Sequence, residues 1–406
     1  MINHVIVAND SASINGGAAK VAIVEAKALA DMGLRVTFFA PSGPVDRLLL
    51  DSGVEVVCLN QADLVDEPNR LTSVSRGLWN TEAAQKLSEI IDAADPQKTI
   101  IHGHTFSRGL SPSFGRVLTN GKLPHVYTMH EYFLACPNGG FYDYQRNEIC
   151  TRKPLGAACL TTNCDQRKPI HKLWRVARQA ILWGPGKMPR GLKDVIYISQ
   201  TQLNAMQPYL SKKSRLHYLS NPNPIDKGSS RVSVELNNIF LYVGRMSPEK
   251  GCVDFALAAK EAGVRAVFLG AGSEEDAVRE ANPDAEIIGW VSPEDVIKWM
   301  KRSRALVFPS LWYEGQPLVS MEALSIGLPV IVADWNAGSE QVLDNVTGLL
   351  YSQREELTRM LSLMTPLTAK RLSESAFEQR ESYGISIEDH VKKLVDIYSD
   401  VQNRYL

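Results

Sequence analysis

VFPSLWYEGQPLVSMEALSIGLPVIVAD, residues 307–334, carries the pattern on which the fold of this chain turns. Residues 305–308 form a compact apolar run of strand length, closed by Pro309 and Ser310. Residues 328–333 form a second run, apolar and β-branched. Between them Leu318, Met321, Leu324 and Ser325 recur at helical spacing, which predicts a short helix opening near Pro317. Proline suits a first helical position because its missing N–H would have no partner there. The N–H groups of Leu318, Val319 and Ser320 then point out of the helix start, where about half a positive charge can hold a phosphate. Glu314 stands at the mouth of this helix and Glu322 inside it. A partly buried carboxylate is costly unless it accepts hydrogen bonds. The vicinal hydroxyls of a ribose or a hexose supply such donors. The spacing alone also allows Glu314 as a helix cap and Glu322 on a solvated face.

Outward from this unit, strand and helix alternate along the chain. Strands are predicted at residues 5–8, 36–39, 54–59, 99–102 and 126–129, with helices near 46–50, 82–93 and 110–118. Alternation of this kind indicates a parallel sheet covered on both faces, with ligands beyond the carboxyl ends of the strands. After the first strand, Gly16 and Gly17 open a helix marked by Ala18, Val21, Ala22, Val24 and Leu29. His102 and His104 end one strand and His130 another. A strand at 194–198 leads to a helix capped by Ser199. Pro222 and Pro224 then forbid helix across 221–226, which places a domain boundary there. A second sheet begins at 239–243, followed by GRMSPEKG. Gly244 allows a close turn, and Arg245 and Lys250 are the cations best placed to meet a diphosphate at the strand end. Residues 266–269, a helix capped by Ser273, 286–288, then 337–343 and 346–350 complete the second sheet. Neither Gly16-Gly17 nor GAGSEE is a full G-x-G-x-x-G, which disfavours a nicotinamide dinucleotide.

Composition bounds the rest. A chain of 406 residues, 44% hydrophobic and 22% charged, is ordinary for a globular protein of two or three domains. A net charge of −1 argues against a nucleic-acid binder. No basic segment with an apolar core opens the sequence and no spanning apolar run occurs, so the cytoplasm is the expected location. Four of the six cysteines, Cys136, Cys150, Cys159 and Cys164, fall in an insertion spanning about 136–193. They fit either a structural zinc site or reduced thiols. Residues 167–193 are basic without an acidic residue, interleaved with Leu173, Trp174, Ile181, Leu182 and Trp183. Such a stretch lies on an anionic membrane surface, or packs as a helix with a solvated basic face.

The run EGQPLVSME, with PS before it and EAL-x-x-G-x-PVI after it, resembles the E-x7-E signature of retaining family 4 glycosyltransferases. The fold this implies is GT-B: two Rossmann-like, doubly wound α/β domains facing a central cleft, with the last helix crossing back. The domains would be 1–222, on the acceptor side, and 223–385, on the nucleotide-sugar side, with 386–406 returning to the first. INGGAAKVA is similar to the family's first glycine-rich loop, and GRMSPEKG to its G-R-x-x-x-x-K-G element. Asn221-Pro222-Asn223-Pro224-Ile225-Asp226 is similar to its interdomain linker. The resemblance implies that Arg245, Lys250, Gly16, Gly17, Gly244 and the backbone of Gly315, Gln316, Pro317, Leu318 and Val319 meet the donor diphosphate. Gly289, Trp290 and Val291 would meet the base, Glu322 the ribose, and Glu314 and His130 the transferred sugar. His104 and Asn15 lie on the acceptor side. One departure is visible: many members carry Gly-Phe-Gly after the first Glu, and this chain has Gly315-Gln316-Pro317. The implied activity moves a hexose from a UDP- or GDP-sugar to a saccharide or lipid-linked acceptor. No D-x-D occurs, so fixed positive charge is expected to replace a catalytic metal. A nucleotide-sugar epimerase of the same architecture, or a sugar-binding protein that only closes, are competing readings.

Overall fold

The computed structural model describes residues 2–223 and 230–405. Its strands, in chain order, are β1 (His4–Ala8), β2 (Arg35–Ser42), β3 (Glu55–Gln61), β4 (Thr99–Gly103), β5 (His125–Thr128), β6 (Tyr142–Asp143), β7 (Glu148–Ile149), β8 (Asp194–Tyr197), β9 (Arg215–Tyr218), β10 (Ile239–Val243), β11 (Arg265–Leu269), β12 (Glu286–Gly289), β13 (Ser303–Phe308), β14 (Val330–Ala333) and β15 (Gly348–Tyr351). The first sheet has the order β3-β2-β1-β4-β5-β8-β9 and the second β12-β11-β10-β13-β14-β15, while β6 and β7 form a small antiparallel hairpin. Neighbours within the two large sheets run parallel. Each sheet therefore reverses its winding beside its first strand, between β1 and β4 and between β10 and β13. Crevices at such reversals are where doubly wound sheets take ligands.

Burial explains the strand sequences. Every residue of β1 and β14 is buried, as strands covered on both faces must be, so they read as unbroken apolar runs. The last helix, Ile387–Tyr405, belongs to the first sheet's core, not the second's: Val391, Leu394, Tyr398 and Val401 pack with Ile23, Phe38 and Leu49. Fully burying a side chain such as Val391 or Leu394 contributes about 1.5–3 kcal/mol.

Local departures from the predicted elements have identifiable causes. Residues 337–343 do not form a strand. The Asn336 side chain accepts from the Gly338 N–H and winds Ala337–Gln341 into a 3-10 turn. Ser273 does not cap the next helix, which begins at Glu275 after Glu274. Backbone there is committed elsewhere, since Met246 N–H donates to the Ala271 carbonyl and Glu274 N–H to that of Met246. Pro317 sits one position before the predicted one, as the extended cap of Leu318–Ser325. β9, an edge strand with half-exposed residues, carries no strong apolar pattern and was not anticipated. Of the boundary segment, Asn221–Asn223 are described, and Pro224, Ile225 and Asp226 lie outside the described residues.

Candidate active site in the interdomain cleft

The second domain builds one wall from the loops after β10 and β13. These loops are laced together: Leu311 N–H donates to the Glu249 carbonyl at 2.8 Å. Gly251 sits at φ 66°, where a Cβ would come within 2.1 Å of the Pro309 carbonyl oxygen, so no other residue fits. The lacing brings Lys250 to Glu314, Nζ to Oε1 2.7 Å, with the ammonium 4.9 Å from the Trp312 ring centre. Ser310 Oγ donates to the same carboxylate. Glu314 is buried and left-handed at φ 55°, a costly conformation for a side-chain-bearing residue and one that clusters at functional sites. The Tyr132 hydroxyl, from the first domain, donates to its carbonyl. Arg245 Nη2 lies 2.7 Å from Glu249 Oε1, while its side chain stays 64% exposed. One edge of the guanidinium is thus pinned by a buried acid and the other is open. Helix Leu318–Ser325 has no side-chain cap, which leaves its first N–H groups free. Glu322 is half-buried in that helix. Burial pushes its carboxyl up, opposed by Lys20 across the cleft in helix Gly17–Asp31. Trp290, after Gly289, is 80% exposed. Val291 and Val319 pack against the domain core instead.

The first domain supplies the facing wall. A Cβ at Gly16 or Gly17 would meet nothing within 4 Å, and Asn15 is exposed beside them. The glycines give room, not a strained turn. His130 follows β5 and His104 follows β4, with His104 Nδ1 2.9 Å from His130 Nε2. Burial lowers both imidazoles, His130 to about 4, so both rings are neutral at neutral pH. The walls touch at Gly315, where a Cβ would lie 3.0 Å from the His130 carbonyl oxygen.

Two residues were missed in the sequence. Glu131 is solvent-accessible, yet its surroundings desolvate it and, with the Asp10 charge, push its carboxyl up to about 6. Its signal was its place immediately after His130. Glu25, in the first helix, is buried against His104 at 3.4 Å and had no sequence signal beyond a charge on an apolar helix face. The Gln316 side chain turns toward Ser220 and Asn221, at the start of the boundary segment. Its Nε2 donates to Ser220 Oγ at 2.9 Å, and its Oε1 accepts from the Asn221 N–H at 2.7 Å. The side chain of this departure from the family pattern holds the boundary segment.

The four cysteines are free thiols, and two of them, Cys159 and Cys164, face Lys172 of helix Pro169–Trp183. Lys172 Nζ lies 3.1 Å from Cys164 Sγ and 3.6 Å from Cys159 Sγ, and Asn138 Nδ2 lies 3.2 Å from Cys164 Sγ. Burial pushes the Cys136 and Cys164 thiols up. The expected solvated basic face is only partial. Lys172 and Arg178 are buried, Arg178 donating to the Ser107 carbonyl with its guanidinium over Phe133 and Trp174.

Sequence profiles match both halves: that of the glycosyl transferase 4-like domain over residues 16–221, and that of glycosyl transferases group 1 over residues 237–364. UDP-Gal:alpha-D-GlcNAc-diphosphoundecaprenol alpha-1,3-galactosyltransferase of Escherichia coli is 30% identical over 179 residues, 40% of this chain. The match spans 46% of that protein's length. Among solved structures, sucrose-phosphate synthase from Thermosynechococcus elongatus superposes with a TM-score of 0.68 at 17% identity, covering 99% of this chain and 100% of the other. HepE of Anabaena in complex with UDP-glucose gives 0.67 at 18% identity, covering 98% and 99%.

Proposed function

The chain belongs to the family 4 glycosyltransferases of GT-B fold, and from that membership we propose that it moves a hexose from a UDP- or GDP-linked sugar onto a saccharide or lipid-linked saccharide, with retention at the anomeric carbon, in polysaccharide or glycoconjugate assembly. One observation carries this reading: Arg245, the Lys250–Glu314 pair and an uncapped helix start share one cleft wall opposite His130. These groups are fixed before substrate arrives, so they stabilise a leaving diphosphate without reorganising. The N–H groups of Leu318 and Val319 take phosphate oxygens, Arg245 and Lys250 take the growing charge, Glu322 accepts from the ribose hydroxyls, and Trp290 stacks on the base. Neutral His130 meets a sugar hydroxyl as hydrogen-bond partner, and Glu131 accepts from the incoming acceptor. The acceptor hydroxyl attacks on the leaving-group side and passes its proton to a phosphate oxygen. The UDP-glucose held by HepE, a protein of the same fold, supports a nucleotide-sugar donor.

Lys172 is a buried ammonium beside cysteine sulfur, which is costly unless a sulfur is anionic. Among the described residues, however, no three of Cys136, Cys150, Cys159 and Cys164 bring their sulfurs within reach of one ion, so these residues do not fit the expected zinc. One accessory feature joins the proposal. The outer side of the first domain exposes Leu71 (81%), Ile170 (62%) and Leu173 (64%) beside Arg167 and Lys168. That surface suits peripheral contact with an anionic bilayer. Among the described residues no helix is long and apolar enough to cross a membrane.

Incubation with UDP- and GDP-sugars, with and without saccharide acceptors, tests the reading. A transferase consumes donor in an acceptor-dependent way and keeps the anomeric configuration. Conversion of free donor to its epimer without acceptor, or binding with no turnover under any acceptor, would refute it.

A further inference from the structure

The last helix turns a histidine into the first domain's core. His390 is 2% exposed, with Nδ1 2.8 Å from the Ser220 carbonyl oxygen and Nε2 2.8 Å from Glu25 Oε1. A carbonyl only accepts, so Nδ1 carries a proton. An ionised carboxylate also only accepts, so Nε2 carries one too, and the ring that satisfies both is an imidazolium. Burial opposes ionisation of Glu25, but the hydrogen bond and charge of His390, with His102 and His130, outweigh it and hold the carboxyl below its ordinary value.

The other oxygen, Glu25 Oε2, has no aligned hydrogen bond. It faces His104 Nε2 at 3.4 Å and His102 Nδ1 at 3.7 Å. His102 is committed on both sides, to the Tyr398 hydroxyl and to Thr128 Oγ1, each at 2.7 Å. His104 is the ring left to answer the anion. A proton on its Nε2 faces the carboxylate favourably, which makes His104 Nδ1 the lone pair that accepts from His130 Nε2–H. His130 is left with a bare Nδ1.

We propose that Glu25 and His390 are a positioning pair for His130. Acting through His104, they fix His130 as the Nε2–H tautomer, whose Nδ1 accepts a hydrogen bond from a hydroxyl of the transferred sugar. The pair is tied to both cleft walls. The Ser220 carbonyl that orients His390 belongs to the residue whose hydroxyl accepts from Gln316, in the loop carrying Glu314. This assignment rests on the reading of His130 as the imidazole that faces the sugar.

Selective nitrogen-15 labelling of the histidines in the full chain, read by long-range proton–nitrogen correlation, tests it. Near neutral pH, His390 is expected with both nitrogens protonated and His130 protonated on Nε2 alone. Glu25→Gln turns an amide N–H toward His104 and is expected to flip His130 to the Nδ1–H form. It should lower kcat about tenfold or more with donor KM within about twofold. His390→Gln leaves Glu25 without its counter-charge and is expected to flip the same ring. A neutral His390 in the unmodified chain, a measurement that needs no variant, overturns the proposal. So does a His130 tautomer unchanged in both variants. Failure of the unmodified chain to bind UDP and GDP in calorimetry overturns the transferase reading instead, while the ring states are still judged by the spectra.

Discussion

Lys250 serves two demands with one ammonium. It neutralises Glu314 at 2.7 Å, and on the proposed function it also meets the donor diphosphate. Removing it does more than remove a phosphate contact, because a buried carboxylate is left unpaired, a change that costs about 3–5 kcal/mol in comparable sites. Lys250→Met is therefore expected to lower both thermal stability and turnover, the latter by about a hundredfold or more, in a transferase assay paired with a melting curve. Arg245 is exposed, but its partner is not. Its side chain is 64% accessible while Glu249 is buried and would keep only the Ser247 hydroxyl, so Arg245→Ala should raise donor KM about tenfold and lower the melting temperature as well. Glu131 gives a pH signature. Its carboxyl is pushed up to about 6, chiefly by desolvation from the groups around it and then by the Asp10 charge, so it ionises as pH rises through that value. Acceptor-side activity should climb through the same range, and Glu131→Gln should flatten that limb. An acid limb unchanged in the variant would remove Glu131 from the site.

At the scale of elements, the two loops after β10 and β13 work as one body because backbone meets backbone. Gly251→Ala tests this. The left-handed conformation alone costs an L-residue about 1–2 kcal/mol, and the new Cβ would also press on the Pro309 carbonyl from 2.1 Å. Loss of nucleotide binding together with a lower melting temperature is the expected result, and native behaviour in both would show that the loops are not coupled. The same elements show what a sequence can carry. The strands and the organising helix were legible because covered strands read as unbroken apolar runs and the helix keeps its spacing. The turn at Ala337–Gln341 was not, because a single hydrogen bond accepted by the Asn336 side chain from the Gly338 N–H sets the backbone there. Arg245, Lys250 and Glu314 were legible through residue type and resemblance. The Glu25–His104–His130 contact was not, since it joins positions far apart in the chain through a tertiary arrangement no local spacing encodes. Gln316 was visible as a departure, but its turn toward the boundary segment needed coordinates.

Across the whole molecule, the first domain is closed by a helix from the far end of the chain, and its core holds several neutral imidazoles. His102 and His125 are each lowered to about 4 by burial, and His104 is lowered well below its ordinary value. Unfolded imidazoles take up protons near about 6.5. Between those limits the unfolded chain binds more protons than the folded one, so stability rises with pH through that window and is lost as pH falls toward 4. Each fully neutral buried ring contributes about 1.4 kcal/mol per pH unit to that slope. Glu25, held below its ordinary value, adds a further loss at still lower pH. A melting temperature flat between neutral pH and about pH 5 would contradict this burial. On the proposed function, the architecture as a whole holds fixed positive charge at the seam between two like-wound sheets. Calorimetric titration of the full chain with UDP and with GDP, in the presence of a chelator, tests that claim most directly. Binding of at least one nucleotide is predicted to persist without divalent ions and to weaken about tenfold or more in both Arg245→Ala and Lys250→Met. Binding that requires a divalent ion, or that is unchanged in both variants, would contradict it.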